Sequence, residues 1–352
     1  MPQVRRVCVV AWGGTAVSWE LSTPGRLGPG LASCAAFLLL AAGCALHIRQ
    51  GLMAELRRSQ EIAGAAQRAL LRPLPGWIDG LALSAAQLSA SRGAAVGGDL
   101  YEAVPTAYGV RVVIGDVRGH GLPALGPAAA VLGSFREAAY DEPTLGGVLV
   151  RMERALARHV RDRAGTEHLS EEFVTVLLLQ IAADGSLTAL NCGHPWPYLL
   201  RQVAPPEPCG AVPHPARSRN RALPGPAPHA PAGPDVPGAV CCSAQRRGDV
   251  RSLDGGEVLP PLGVVPVPDG PAGQDCGQLV PGDVLFLHTD GAEDARDRDG
   301  RFFPLRSVLA EQQPADPPAR LVAGVHTALL RHTGGQLADD VALLVLRSDR
   351  SS

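Results

Sequence analysis

The spacing of apolar positions changes several times along the chain, and each change marks an element. Residues 27–46, LGPGLASCAAFLLLAAGCAL, hold no charge and show no period. A stretch of this length is enough to cross a hydrocarbon core of about 30 Å. A shorter apolar run, residues 7–19, precedes it behind Arg5 and Arg6. The flank that follows carries Arg49, Arg57 and Arg58, which by the positive-inside rule predicts that everything downstream is cytoplasmic. The pattern predicts a membrane anchor over residues 1–48, with either one transmembrane segment or a hairpin of two. From 50 to 72 the apolar positions Leu52, Leu56, Ile62, Ala66 and Ala69 recur at roughly helical spacing, and Pro73 and Pro75 close the run. This predicts a helical linker over 49–74, read either as one helix packed on the domain or as a stalk that pairs two copies into a homodimer.

From 75 to 348 the pattern is that of a mixed domain. The β-branched run 110–114 ends in Gly115-Asp116. Thr144 stands where it can cap a helix bearing Leu145, Val148, Leu149, Met152 and Leu156 on one face. Residues 173–181, FVTVLLLQI, predict a strand that an Asp184-Gly185 turn returns through 187–191 as a hairpin. Strands are predicted again at 284–288 and 341–346, with a helix marked by Leu321, Val325, Ala328 and Leu329 between them. This order suits antiparallel sheets with helices on the outer faces, an α+β domain. Residues 203–248 break the pattern, being rich in Pro, Ala, Gly and Arg without period, and read as a disordered insertion.

Composition removes some classes of function. The formal net charge of −2 supplies no basic field, so nucleic acid is not an expected partner. All 32 basic residues are Arg, a bias expected of a GC-rich coding sequence. The 8 cysteines form no CxxC pair, which argues against structural zinc and suits free thiols in a reducing compartment. The acids are more informative. Asp99 stands in GGDLYE, Asp116 in GDVRGHG, Asp290 in HTDG, and Asp339 with Asp340 in ADDVALLVL. Asp116 and Asp290 follow predicted strands, and Asp339 and Asp340 precede one. If 341–346 pairs antiparallel with 284–288, the ends bearing Asp290 and Asp339 meet at one sheet edge. Carboxylates gathered in that way repel one another unless cations neutralise them, and an oxygen-only donor set suits Mg²⁺ or Mn²⁺ over zinc. Taken singly, each acid reads equally well as a turn aspartate.

The segments that carry these acids are GGDLYEAVPTAYGVRVVIGDVRGHGLPA, FREAAYDEP, EEFVTVLLLQI, LNCGHPWPYLL, LPPLGVV, LVPGDVLFLHTDGAEDARDRDGRFFP and DDVALLVLR. In that order they resemble the metal-dependent PPM-type (protein phosphatase 2C-like) phosphatases, closest to the branch of stage II sporulation protein E and related sigma-factor regulators. The resemblance covers residues 55–347 apart from the Pro-rich insertion. It implies a PPM-type sandwich of two antiparallel β-sheets flanked by α-helices, here behind an N-terminal transmembrane segment at the cell membrane. It also implies a serine/threonine phosphoprotein phosphatase that uses water activated by two divalent cations, Mn²⁺ or Mg²⁺, with an anti-sigma-factor antagonist as the phosphoprotein partner. Carried over by motif, Asp116 bridges the two metals and Val117 offers its carbonyl. Asp99 lies on one side and Asp290 and Asp339 on the other, with Asp116 and Asp290 the catalytic pair. Glu102, His120 and Asp340 are expected just behind these ligands, while His194 and His288 read as structural. Two positions depart from the family: Glu102 follows Tyr101 where Asp is usual, and Ala342 stands where Thr is frequent. Glu102 and the insertion motivate an alternative, a non-catalytic membrane-bound regulatory binding protein of the same fold.

Overall fold

The computed structural model describes residues 27–89, 97–119, 121–163, 172–202, 249–253 and 256–350. The run at 7–19, the Pro-rich stretch at 203–248 and His120 lie outside the described residues. The chain forms a smaller N-terminal unit, ending at Ala65, and a larger one that begins at Ala66.

The first unit is built on helix α1 (Leu27–Leu70), which runs unbroken through the expected border between anchor and linker. Leu38, Leu39, Leu46, Ile48, Leu52, Leu56 and Ile62 on this helix are exposed. Among the described residues no helix is long and apolar enough to cross a membrane. The expected transmembrane segment is therefore not supported.

The larger unit contains two facing sheets. In the first the order is β1 (Trp77–Ile78), β2 (Leu81–Leu88), β12 (Val341–Ser348), β11 (Val284–His288), β7 (Tyr198–Arg201) and β8 (Asp249–Ser252), all antiparallel. The second runs β10 (Gln274–Gln278), β6 (Ser186–Cys192), β5 (Val174–Ile181), β4 (Gly109–Val117) and β3 (Asp99–Thr106). The short β9 (Val258–Leu259) joins β6 in parallel, so this sheet departs from the expected all-antiparallel arrangement at one edge. A return strand from a distant loop can pair with β6 in either direction, and nothing in two residues specifies which.

The central strands are buried on both faces, which explains why they read as nearly unbroken apolar runs. In β4, Val110, Val112 and Ile114 face the other sheet, while Val113 and Val117 face the helices. In β5, Leu177, Leu179 and Ile181 point inward, while Val174, Val176 and Leu178 point outward. Helices α2 (Leu122–Asp141) and α3 (Leu145–Arg163) cover this sheet through Val131, Phe135, Val148 and Met152. Thr144 caps α3 by accepting a hydrogen bond from Gly147 N at 3.1 Å. On the other side α5 (Leu305–Ala310) and α6 (Pro318–His332) bury Leu309, Leu321, Val325 and Leu329 against Phe286, Leu343 and Val345.

One arginine is more than compositional bias. Arg111 on β4 is fully buried on the helix side. Its guanidinium donates to the carbonyls of Ala139 (2.9 Å), Glu142 (2.6 Å) and Pro143 (3.0 Å) and to Gln180 Oε1 (2.9 Å). A cation thus satisfies the orphan carbonyls at the C-terminal end of α2 and favours their dipole. Burial pushes its pKa down from the usual arginine value. Replacing it by Leu strands four acceptors in the interior, and a loss of about 3 kcal/mol or more is expected in urea unfolding. A loss below about 1 kcal/mol would show that these carbonyls find other partners.

Candidate metal centre

The acidic residues meet at one end of the sandwich, contributed by both sheets. In the second sheet Asp99 opens β3 and lies directly across from Asp116 near the end of β4. In the first sheet β11 pairs antiparallel with β12, His288 opposite Leu343. Asp290, just past β11, and Asp339 and Asp340, just before β12, therefore share that edge, as the strand reading required. The set runs from depth to surface: Asp99 is 3% exposed and Asp340 6%, Asp116 is half-buried, and Asp290 and Asp339 are exposed.

Backbone oxygen joins them. A β-carbon on Gly98 would lie 2.5 Å from the Val117 carbonyl and 2.7 Å from Asp116 Oδ1, so only glycine lets β3 approach this closely. Thr289, which the sequence reading passed over, is held by β12: its amide donates to the Ala342 carbonyl at 3.1 Å, and its Oγ1 accepts from the Ala342 amide at 2.9 Å. Its own hydroxyl proton is thereby left for the Asp99 carboxyl, with which it hydrogen-bonds. The other oxygen of that group, Oδ2, is buried with no hydrogen-bond partner.

The fields follow from this crowding. Burial, then the charges of Asp116 and Asp340, hold the Asp99 carboxyl well above the usual carboxylate range. Asp116 is pushed up to about 7 by burial and by Asp290, Asp339 and Asp340. Asp290 is raised by burial and by Asp339. Groups in this state need either protons or cations. Among the described residues no three His, Cys, Asp or Glu side chains enclose a single point as a complete ligand set. Mg²⁺ and Mn²⁺ are hard cations whose donors are carboxylate, carbonyl and water oxygen. The orphaned Asp99 oxygen, the Val117 carbonyl and the all-oxygen donors fit such ions.

Glu102 does not join the cluster. It lies three residues beyond Asp99 on the same strand and so projects from the opposite face. There Arg136 Nε donates to it at 2.7 Å and Arg136 Nη2 donates to the Leu70 carbonyl, also at 2.7 Å. Another contact invisible in the sequence is that of buried Gln67. Its carboxamide accepts from Gly97 N at 3.1 Å and donates to Gly97 O at 3.4 Å, tying the last turn of α1 to the start of β3.

Two facing sheets between helical layers, with carboxylates from both sheets at one end, define a PPM-type phosphatase. Residues 106–212 and 238–349 match the Stage II sporulation protein E (SpoIIE) family, and the chain belongs to that family. Solved structures agree in fold. The SiaA-PP2C domain of Pseudomonas aeruginosa superposes with a TM-score of 0.56 at 16% identity, over 84% of this chain and 98% of that one. The RsbU and RsbW domains of a Mycobacterium tuberculosis protein give 0.51 at 20% identity, over 78% of this chain and 61% of that one. The PP2C phosphatase domain with a regulatory-domain fragment of SpoIIE from Bacillus subtilis gives 0.51 at 15% identity, over 77% of this chain and 64% of that one.

The raised carboxyls set a pH dependence for the metal-free protein. Folded Asp116 holds its proton up to about pH 7, whereas in the unfolded chain it ionises near its ordinary value of 3.8. Between those limits the folded state binds more protons, so this contribution to stability is complete at low pH and is lost as pH rises toward 7. With chelator present, the melting temperature of Asp116→Asn is expected to fall less than that of the parent between pH 5 and pH 8. Equal slopes would mean that Asp116 is not held in the shared field.

Proposed function

We propose that this chain is a metal-dependent phosphatase that hydrolyses phosphoserine or phosphothreonine in a protein, an anti-sigma-factor antagonist being the substrate that the family branch favours. The observation that carries this reading is the buried, partnerless Oδ2 of Asp99 opposite Asp116, with burial and neighbouring charge opposing the ionisation of both. In this reading Asp99, Asp116, the Val117 carbonyl, Asp290 and Asp339 would together hold two divalent cations, Mn²⁺ or Mg²⁺. Cations bound there supply charge neutralisation and bring the pKa of water toward neutrality.

The chain's own groups do the rest. Asp116, near the end of a strand buried on both faces, lies opposite Asp99 and within the field of Asp290 and Asp339. Asp99, sealed from solvent, keeps the inner wall dry. Asp290 and Asp339 stand at the exposed rim, where a residue on the surface of another protein can reach. The two cysteines described in the sheets do not suit a nucleophilic role: burial pushes the Cys192 thiol up to about 12 and raises Cys276 as well, so neither supplies a thiolate near neutrality. The binding-only alternative loses its main motive, because Glu102 lies on the helix face and its departure from the family pattern removes no oxygen from the cluster.

The experiment is release of p-nitrophenol from its phosphate ester by the full chain with Mn²⁺, with Mg²⁺ and with chelator, beside Asp116→Asn. Expected are metal-dependent turnover and a drop of about a hundredfold or more in the folded variant. Metal-independent turnover, or a folded variant as active as the parent, would overturn the reading. Location at the cytoplasmic side of a membrane is part of the proposal. It is supported by the uncharged run 27–46, the arginines that follow it and the exposure of Leu38, Leu39 and Leu46. The chain is expected to pellet with membranes and to be released by detergent but not by salt, and recovery in the soluble fraction would remove it from the membrane.

A further inference from the structure

We propose that His194 is a positioning residue, a brace between the two sheets that sets the distance from the strand carrying Asp116 to the strand carrying Asp290. The functional consequence rests on the metal-phosphatase reading above; the brace itself does not.

The segment NCGHP builds it locally. β6 ends at Cys192 in the second sheet, and β7 begins at Tyr198 in the first, so residues 193–197 cross from one sheet to the other. The Asn191 carboxamide grips His194 at both backbone groups, donating to its carbonyl and accepting from its amide, each at 2.8 Å. Gly193 makes the turn at φ +70°, and a β-carbon there would lie 2.8 Å from the Pro261 ring. These contacts drive the imidazole inward, where His194 is 4% exposed.

The ring then spans the gap. Nε2 lies 3.1 Å from the His288 carbonyl, and Nδ1 lies 3.0 Å from Thr175 Oγ1. A carbonyl only accepts, so Nε2 carries the proton; Nδ1 must then accept, and the Thr175 hydroxyl donates to it. Thr175 has one hydroxyl proton, so its 3.4 Å approach to the Asp116 carbonyl is a close contact and not a second full hydrogen bond. Burial keeps the ring neutral, with its pKa pushed down to about 3. Thr175 sits opposite Asp116 in the β4–β5 ladder, and His288 is two residues before Asp290. One side chain therefore connects β5, the strand paired beside Asp116, with the end of β11 that leads to Asp290.

Apolar packing alone does not achieve this. The layer between the sheets is Leu, Val and Ile over most of its extent, and such contacts are non-directional. They hold the sheets together but set their sliding poorly, whereas a pair of hydrogen bonds fixes distance and angle. Carboxylates on separate sheets that share cations need that accuracy.

The test uses the full chain with His194→Leu, His194→Asn and His194→Gln. Glutamine reaches the His288 carbonyl with an N–H, asparagine is too short, and leucine keeps only volume. Calorimetric titration with Mn²⁺ is expected to show affinity reduced by about tenfold or more in the Leu and Asn variants, and within about threefold of the parent in the Gln variant. Parent-like affinity in folded His194→Leu, or a loss in Gln as large as in Asn, would overturn the brace. Should the Leu variant not fold, the Gln and Asn pair decides. Nitrogen NMR of the histidines in the metal-free parent gives an independent reading: His194 is expected neutral and protonated on Nε2 at neutral pH. A charged ring, or the Nδ1–H tautomer, would also overturn it. A parent that binds no Mn²⁺ would defeat the phosphatase reading, while the NMR result would still judge the brace.

Discussion

The structure turns on the repulsion among carboxyl groups brought together from two sheets. Asp99 and Asp116 come from adjacent strands of one sheet, and Asp290, Asp339 and Asp340 come from the edge where β11 and β12 meet in the other. The ionisation of Asp99, Asp116 and Asp290 is opposed by burial and by their neighbours. A fold can hold such an arrangement only if the surrounding backbone is stiff enough not to relax away from it. That requirement accounts for much of what is built around the site. The strands leading to it are buried on both faces, Gly98 allows contact that any β-carbon would block, and Thr289 is locked to Ala342 at both its amide and its hydroxyl.

The same repulsion explains the graded exposure of the set. If all five acids were as deep as Asp99, cations could enter only with large rearrangement; if all were at the rim, water would screen the fields that make them bind. With Asp99 and Asp340 inside and Asp290 and Asp339 outside, the inner wall is dry and the outer wall accessible. The polar ties behind the site extend the same logic outward. Thr289 joins the sheets at Asp99, His194 joins them behind Asp116 and Asp290, and Gln67 and Arg136 fasten the end of α1 to the strand that carries Asp99.

Much of the site was legible because its acids sit at the ends of strongly patterned strands. FVTVLLLQI and VALLVL leave little doubt about period, and once two strands are antiparallel their opposite ends must coincide. The resemblance alone set Glu102 behind the ligands, and DLYEAVPT, with two acids and a proline, gives little strand signal of its own. Had it been read as a strand, its period of two would have placed Glu102 on the face opposite Asp99. Thr289 and Gln67 carried no signal at all, since a threonine beside an aspartate and a glutamine near a helix end are common in any sequence. Arg111 was hidden by composition: among 32 arginines, none stands out until burial singles it out.

The amino-acid order by itself therefore determined the strands at 110–114, 173–181, 187–191, 284–288 and 341–346 and the acidic residues at their ends, because period and turn chemistry act over a few residues and need no partner. The tertiary structure decided which side chains face one another across the sandwich, how deep each acid lies, and that His194 and Thr289 connect the two sheets. Those are distances between segments tens to hundreds of residues apart, set by packing that no local pattern contains.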